Sequence, residues 1–176
     1  MAAVEMSAND GDALSALGLR QVAFECTQKA ATFAAFGAPD VVYCSPLLRT
    51  MHTACAAFPG ARIVADPRLV ELGGACPGRA RAAAALLRAV GADAAARVDL
   101  GRVPEAGVAA DAGEDVYPPR GAPPGPRLAA FLEELAASAA ARVAVVGHSS
   151  WPPVRAGNEI FNLRLRCARR GELVQP

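Results

Sequence analysis

Residues 41–55, VVYCSPLLRTMHTAC, and residues 143–150, VAVVGHSS, follow one local plan. Each is a β-branched run that ends in a polar turn. Inner strands of an α/β sheet deliver side chains to their carboxyl edge in this way. The first turn carries Arg49 and the second carries His148. A guanidinium fork matches phosphate oxygens, and an imidazole at a strand end donates to or positions one. The pattern predicts two strands, Val41–Cys44 and Arg142–Val146, whose ends form parts of a phosphate-handling site.

The neighbouring segments extend the alternation. Helical spacing runs over residues 14–36 through Val22, Cys26, Ala30, Phe33 and Phe36, and Gly37 and Pro39 stop it. Ser45-Pro46 reads as N-cap and first position of a second helix that reaches about Phe58. Residues 61–64 read as a short strand, Asp66-Pro67 as a turn and residues 79–90 as a helix. Pro126 opens an amphipathic helix through Leu128, Phe131, Leu132 and Leu135, and residues 160–167 read as a last strand. Strands alternating with helices predict one α/β domain over residues 1–176, a three-layer α/β/α sandwich with a mostly parallel sheet. Residues 1–11 read as a disordered start. Residues 99–126, rich in Gly, Pro and Asp, read as a long loop or insertion.

Composition bounds the function classes. The 176 residues are 53% hydrophobic and 20% charged, a globular balance with enough chain for a real core. A net charge of +1 gives no electrostatic ground for binding nucleic acid or a membrane surface. No apolar run approaches the ~18 residues that span a bilayer. The opening MAAVEMSAND has neither a basic nor an apolar signal region, so a cytoplasmic protein is expected. Lys29 is the only lysine, and the Ala-, Gly- and Arg-rich usage matches GC-rich coding. The cysteines are Cys26, Cys44, Cys55, Cys76 and Cys167, without a CxxC pair; they read as free thiols in a reducing compartment. No metal or cofactor is expected.

Four blocks and a closing strand carry a resemblance. Residues 12–21, DALSALGLRQ, resemble the D-x-L-T-x-x-G-x-x-Q opening of the histidine phosphatase superfamily, the phosphoglycerate-mutase-like proteins. Residues 42–54, VYCSPLLRTMHTA, resemble its V-Y-x-S-P-L-x-R-A-x-Q-T-A block, the most specific of the set. Leu69-Val70-Glu71 is similar to its L-x-E element, and residues 145–149, VVGHS, to its V-V-S-H-G block. Asn158 and the strand after it resemble the family's close. The resemblance implies phosphatase or mutase action on a phosphomonoester through a phosphohistidine, without a metal. The partner would be a small phosphorylated substrate or a phosphoprotein. Arg49 would be a phosphate-pocket arginine, His148 the second pocket histidine, and Glu71 the proton donor. Ser45 would cap the helix beside the pocket.

One family element has no counterpart. The Arg-His-Gly triplet that ends the family's first strand supplies the histidine that becomes phosphorylated. MAAVEMSANDG holds no Arg, no His and no strand pattern, and the other histidine, His52, reads as a helix-face residue. The nucleophile and one pocket charge are therefore missing, and the first strand is missing or degraded, which would leave a gap or edge in the sheet. Ser149 and Ser150 stand where the family has glycine. Three readings follow. The first is a phosphatase or mutase whose amino-terminal strand lies outside this sequence, as an alternative start would cause. The second is a non-catalytic relative that binds a phosphorylated ligand or a protein. The third is an α/β-hydrolase-like esterase using Ser149, since GHSSW resembles a G-H-S-x-G elbow. Trp151 in the last position, and the lack of a histidine beyond His148, oppose it.

Overall fold

The computed structural model describes residues 13–71, 74–108 and 125–148, and the backbone of strand 165–169. Two helices, α1 (Ala16–Gln28) and α2 (Ala30–Phe36), lead into β1 (Val41–Cys44), α3 (Leu48–Ala57) and β2 (Ile63–Ala65). A 3₁₀ turn at Pro67–Leu69 follows, then α4 (Arg79–Val90), α5 (Ala92–Ala95), β3 (Val98–Asp99), α6 (Pro126–Ala137), β4 (Arg142–Val146) and β5 (Leu165–Arg169). The sheet order is β3-β2-β1-β4-β5. The first four strands are parallel, with Tyr43 opposite Val64 on one side and Val145 on the other. β5 runs antiparallel to β4.

The pleat assigns the faces. Val42 and Cys44 point to one side, where they meet Leu48, Met51 and Ala54 of α3 and Ala82, Ala85 and Leu86 of α4. Val41 and Tyr43 point to the other and meet Leu128, Phe131 and Leu135 of α6. All four β1 residues are buried, as parallel strands covered on both faces must be. Helices on both sides of a mostly parallel sheet make the three-layer α/β/α fold that the alternation predicts.

Several local expectations are corrected. The helical run over residues 14–36 breaks at Lys29, whose backbone leaves the helical region and whose N–H caps carbonyls of Glu25 and Thr27. Periodic apolar spacing does not distinguish one helix from two in near-continuous phase. The second segment brings Phe33 edge-on to Phe58, with ring centroids 6.0 Å apart. α3 starts at Leu48 rather than beside Ser45: Ser45 Oγ accepts from Leu47 N at 3.3 Å, and Thr50 Oγ1 donates to the carbonyls of Leu47 (2.6 Å) and Ser45 (2.8 Å). The hydroxyl thus closes a turn ahead of the helix. β2 lies at Ile63–Ala65, slightly beyond residues 61–64. α5 and β3 are a single turn and a two-residue strand, too short to show a period.

The sheet has no gap beside β4. That strand pairs with β1 on one side and with β5 on the other. The predicted 99–126 loop begins inside β3 and ends at α6. Its first part is pinned, with Arg79 Nε donating to Val103 O at 2.9 Å and Cys76 bridged to Val108. Residues 109–124 and the disordered start expected over residues 1–11 lie outside the described residues, as do residues 160–164 of the predicted last strand. Gly37 ends α2 at φ 81°, and a Cβ there would stand 2.5 Å from Arg142 Nη1, so both backbone and space call for glycine. Cys44, Cys55 and Cys76 are buried free thiols, and Cys26 is half-buried and free. Among the described residues no helix is long and apolar enough to cross a membrane.

Arg97 fixes the far end of α3. Its guanidinium donates to the Cys55 carbonyl in the last turn of α3 (3.4 Å) and to the carbonyls of Phe58 (3.0 Å) and Ala61 (3.3 Å) in the turn that follows. Arg97→Ala is expected to lower stability by about 1–3 kcal/mol, since a charged donor to several carbonyls is withdrawn. Arg97→Lys should recover only part of it, because an ammonium lacks the fork. Urea unfolding checks this; an unchanged midpoint for the alanine variant would refute the capping role.

Candidate functional site

Three parallel strands exit on one edge of the sheet, and each delivers one of the predicted site residues. After β1 the chain turns at Ser45–Leu47 and places Arg49 second in α3. After β2 the 3₁₀ turn leads to Glu71. After β4, His148 follows Gly147 directly. The three side chains meet: Arg49 Nη2 donates to Glu71 Oε2 in a short ion-paired bond, and the same oxygen lies 3.7 Å from His148 Nδ1. Side-chain exposure is 31% for Arg49, 33% for Glu71 and 4% for His148, so an ion pair at the mouth covers an imidazole at the floor.

The floor is electrically neutral. Burial, and then the Arg49 charge, push the His148 imidazole down to about 3. Its Nε2 is buried with no hydrogen-bond partner among the described residues. A buried ring nitrogen without a partner is costly, and a ligand atom would supply one. The start of α3 adds the positive end of a helix dipole beside Arg49. Ser45 is fully buried next to this start and holds its turn.

His52 sits apart from these three in its bonding. Its Nδ1 accepts from Leu14 N at 3.3 Å, and burial pushes its ring down. It ties the segment ahead of α1 to α3, the structural role expected of a helix-face residue. Gly73, Ser149, Ser150, Trp151 and Asn158 lie outside the described residues, so the proposed esterase nucleophile has no described position. Among the described residues, no three His, Cys, Asp or Glu side chains gather as a metal site.

A second constellation was not anticipated. Asp66 is fully buried at the end of β2. It accepts from Arg68 N (3.0 Å), Arg68 Nε (2.9 Å), Arg68 Nη2 (2.7 Å) and Arg102 Nη1 (2.9 Å). Glu134 of α6 takes the remaining reach of both arginines at 2.6 Å each. The guanidinium of Arg68 stacks over Phe131 at 5.3 Å and that of Arg102 over Tyr43 at 5.6 Å. This lattice fixes the 3₁₀ turn from which Glu71 departs. Asp66-Pro67 signals a turn, but partners this distant in the chain leave no local pattern.

Arginine, carboxylate and histidine thus meet at the carboxyl edge of a mostly parallel α/β sheet. The model of the histidine phosphatase superfamily (branch 1) matches residues 8–152. The chain belongs to that superfamily, is a relative of its phosphatases and mutases, and has the phosphoglycerate-mutase-like fold. Comparison with curated proteins and with solved structures gives no match.

Proposed function

We propose that the Arg49–Glu71–His148 pocket receives the phosphoryl group of a phosphomonoester, carried by a small molecule or a phosphoprotein. The observation that carries the reading is the convergence of these three side chains from three strand ends in a member of this superfamily. Arg49 and the start of α3 hold the phosphoryl oxygens. The buried Nε2 of His148 supplies a further polar contact, and Glu71 stands in the proton-donor position. The family reaction needs a second histidine as nucleophile, and these 176 residues offer only His52, bonded elsewhere. The phosphatase or mutase form of the reading therefore requires a nucleophile that this sequence does not contain. Without one, water is the only attacking group and turnover is slow, while recognition of the phosphoryl group persists. A net charge of +1 favours a small phosphorylated ligand or phosphoprotein over nucleic acid or a membrane.

The test is titration of the purified chain with inorganic phosphate, with p-nitrophenyl phosphate as reporter of turnover. Phosphate binding with near-zero release is expected. Arg49→Ala should weaken binding by roughly 10- to 100-fold, the worth of one charge-assisted bidentate contact. Equal affinity in wild type and variant would end the pocket reading. Brisk release of nitrophenol, lost in His148→Ala, would instead establish catalysis and exclude the non-catalytic form.

A further inference from the structure

Glu71 does more in this arrangement than stand near a ligand. Its carboxylate holds the guanidinium that a phosphoryl group would use. Resting on the pocket reading above, we infer that Glu71 is a built-in anion that occupies Arg49 until a phosphoryl group displaces it. Ligand entry at this site is then an exchange of one oxyanion for another.

The geometry separates what stays from what moves. The backbone at Glu71 is held in a tight turn: Val70 N donates to Pro67 O at 3.1 Å, and Gly74 N donates to Glu71 O at 2.8 Å. A Cβ on Gly74 would lie 3.0 Å from Glu71 O and 3.2 Å from Val70 Cγ1, so this turn has little room to shift. The side chain is different. At 33% exposure it reaches solvent, and its rotamers offer a second seat. Oε2 already lies 3.7 Å from His148 Nδ1, so a modest rotation carries the carboxylate from guanidinium to imidazole. The guanidinium nitrogen that Glu71 leaves then meets the incoming oxyanion, and the displaced carboxylate lies against a ring nitrogen.

This assigns Glu71 an effect on ground-state affinity opposite to that of a simple ligand contact. An occupant of Arg49 lowers the affinity for every anion that needs Arg49, and removing its charge raises that affinity. A carboxyl group that stood clear of Arg49 and of the bound oxyanion would leave phosphate affinity unchanged. One that bonded the phosphoryl group in its resting complex would lose affinity when altered.

The experiment is calorimetric titration of inorganic phosphate into wild type, Glu71→Gln, Glu71→Ala and Arg49→Ala. Glu71→Gln keeps shape and removes charge; Glu71→Ala removes the side chain and guards against a new amide contact. Both are expected to bind phosphate on the order of tenfold more tightly than wild type, since a half-exposed ion pair no longer competes. Arg49→Ala should lose binding. Unchanged or weaker binding in both Glu71 variants, with wild type still binding through Arg49, overturns the inference and leaves the pocket reading standing. Absence of phosphate binding in wild type and in both Glu71 variants overturns both.

Discussion

Replacing Asp66 with alanine is expected to lower the stability of the fold by about 2–3 kcal/mol, because removing one member of a buried ion network strands the others. Asp66 is fully buried and accepts four hydrogen bonds from Arg68 and Arg102. Without it Arg102 keeps Glu134, and Arg68 keeps Glu134 and the Ala130 carbonyl at 3.3 Å; the Glu134 side chain is 44% exposed and screened by water. Burial pushes the Asp66 carboxyl up, but the bonds from Arg68 and Arg102 outweigh it and hold the group below its ordinary value. A carboxylate lowered in the folded state stabilises above the unfolded value of about 3.9, and that stability is lost as pH falls through the folded value. Wild type and Asp66→Ala should therefore differ most near neutrality and converge below about pH 3.9. Asp66→Asn, which keeps the shape and one acceptor, should fall between them. Urea midpoints across pH check this; variants within 0.5 kcal/mol of wild type at pH 7 would show that the arginines find equal partners elsewhere, below what losing a buried ion partner costs.

The effect matters for the site because the same residues carry the 3₁₀ turn that ends at Glu71. Sequence reasoning finds Glu71 through a three-residue element, Leu69-Val70-Glu71, and finds Arg49 and His148 through strand ends. Glu71 enters through the resemblance of that element to the family's L-x-E; the signal for the other two is local, a β-branched run followed by a polar turn. The strands Val41–Cys44 and Arg142–Val146 and the helices Arg79–Val90 and Pro126–Ala137 lie where their patterns place them. What the chain does not display locally is partnership across distance. The Asp66 lattice joins a turn, a loop and a helix, and nothing in Asp-Pro announces two arginines. The engagement of Arg49 by Glu71 is hidden in the same way: neither local pattern names the other residue, and only the shared sheet edge brings them together. The cover of β4 by β5 is the third case. β5 lies antiparallel to β4, a pairing that chain order alone does not specify.

His148 yields the second large effect, a loss of stability between pH 7 and pH 5. Its side chain is 4% exposed, and burial followed by the Arg49 charge pushes the imidazole down to about 3, against about 6.5 in an unfolded chain. The sign follows from which state takes the proton. Below pH 6.5 the unfolded chain binds a proton that the folded chain refuses, so unfolding is favoured as pH falls. The stability is whole above about 6.5 and drains away towards 3, with about 2 kcal/mol gone at pH 5. Among the described residues, the charged groups that face the ring are Arg49, which opposes its protonation, and Glu71, which is engaged by that same arginine. His52 is also lowered by burial and adds a loss of the same sign, so the clean quantity is a difference. Wild type minus His148→Gln, measured by urea unfolding at pH 7, 6 and 5, should shrink by about 2 kcal/mol across the series, while His52→Gln leaves that shrinkage in place. A pH-independent difference would mean that the ring protonates in the folded state, its charge taken up by Glu71. Saturating phosphate should blunt the loss as well, because an oxyanion on Arg49 cancels the opposing charge and frees Glu71 for the imidazolium. Stability at pH 5 that phosphate restores in wild type but not in Arg49→Ala would tie the acid sensitivity to the occupancy of this one guanidinium.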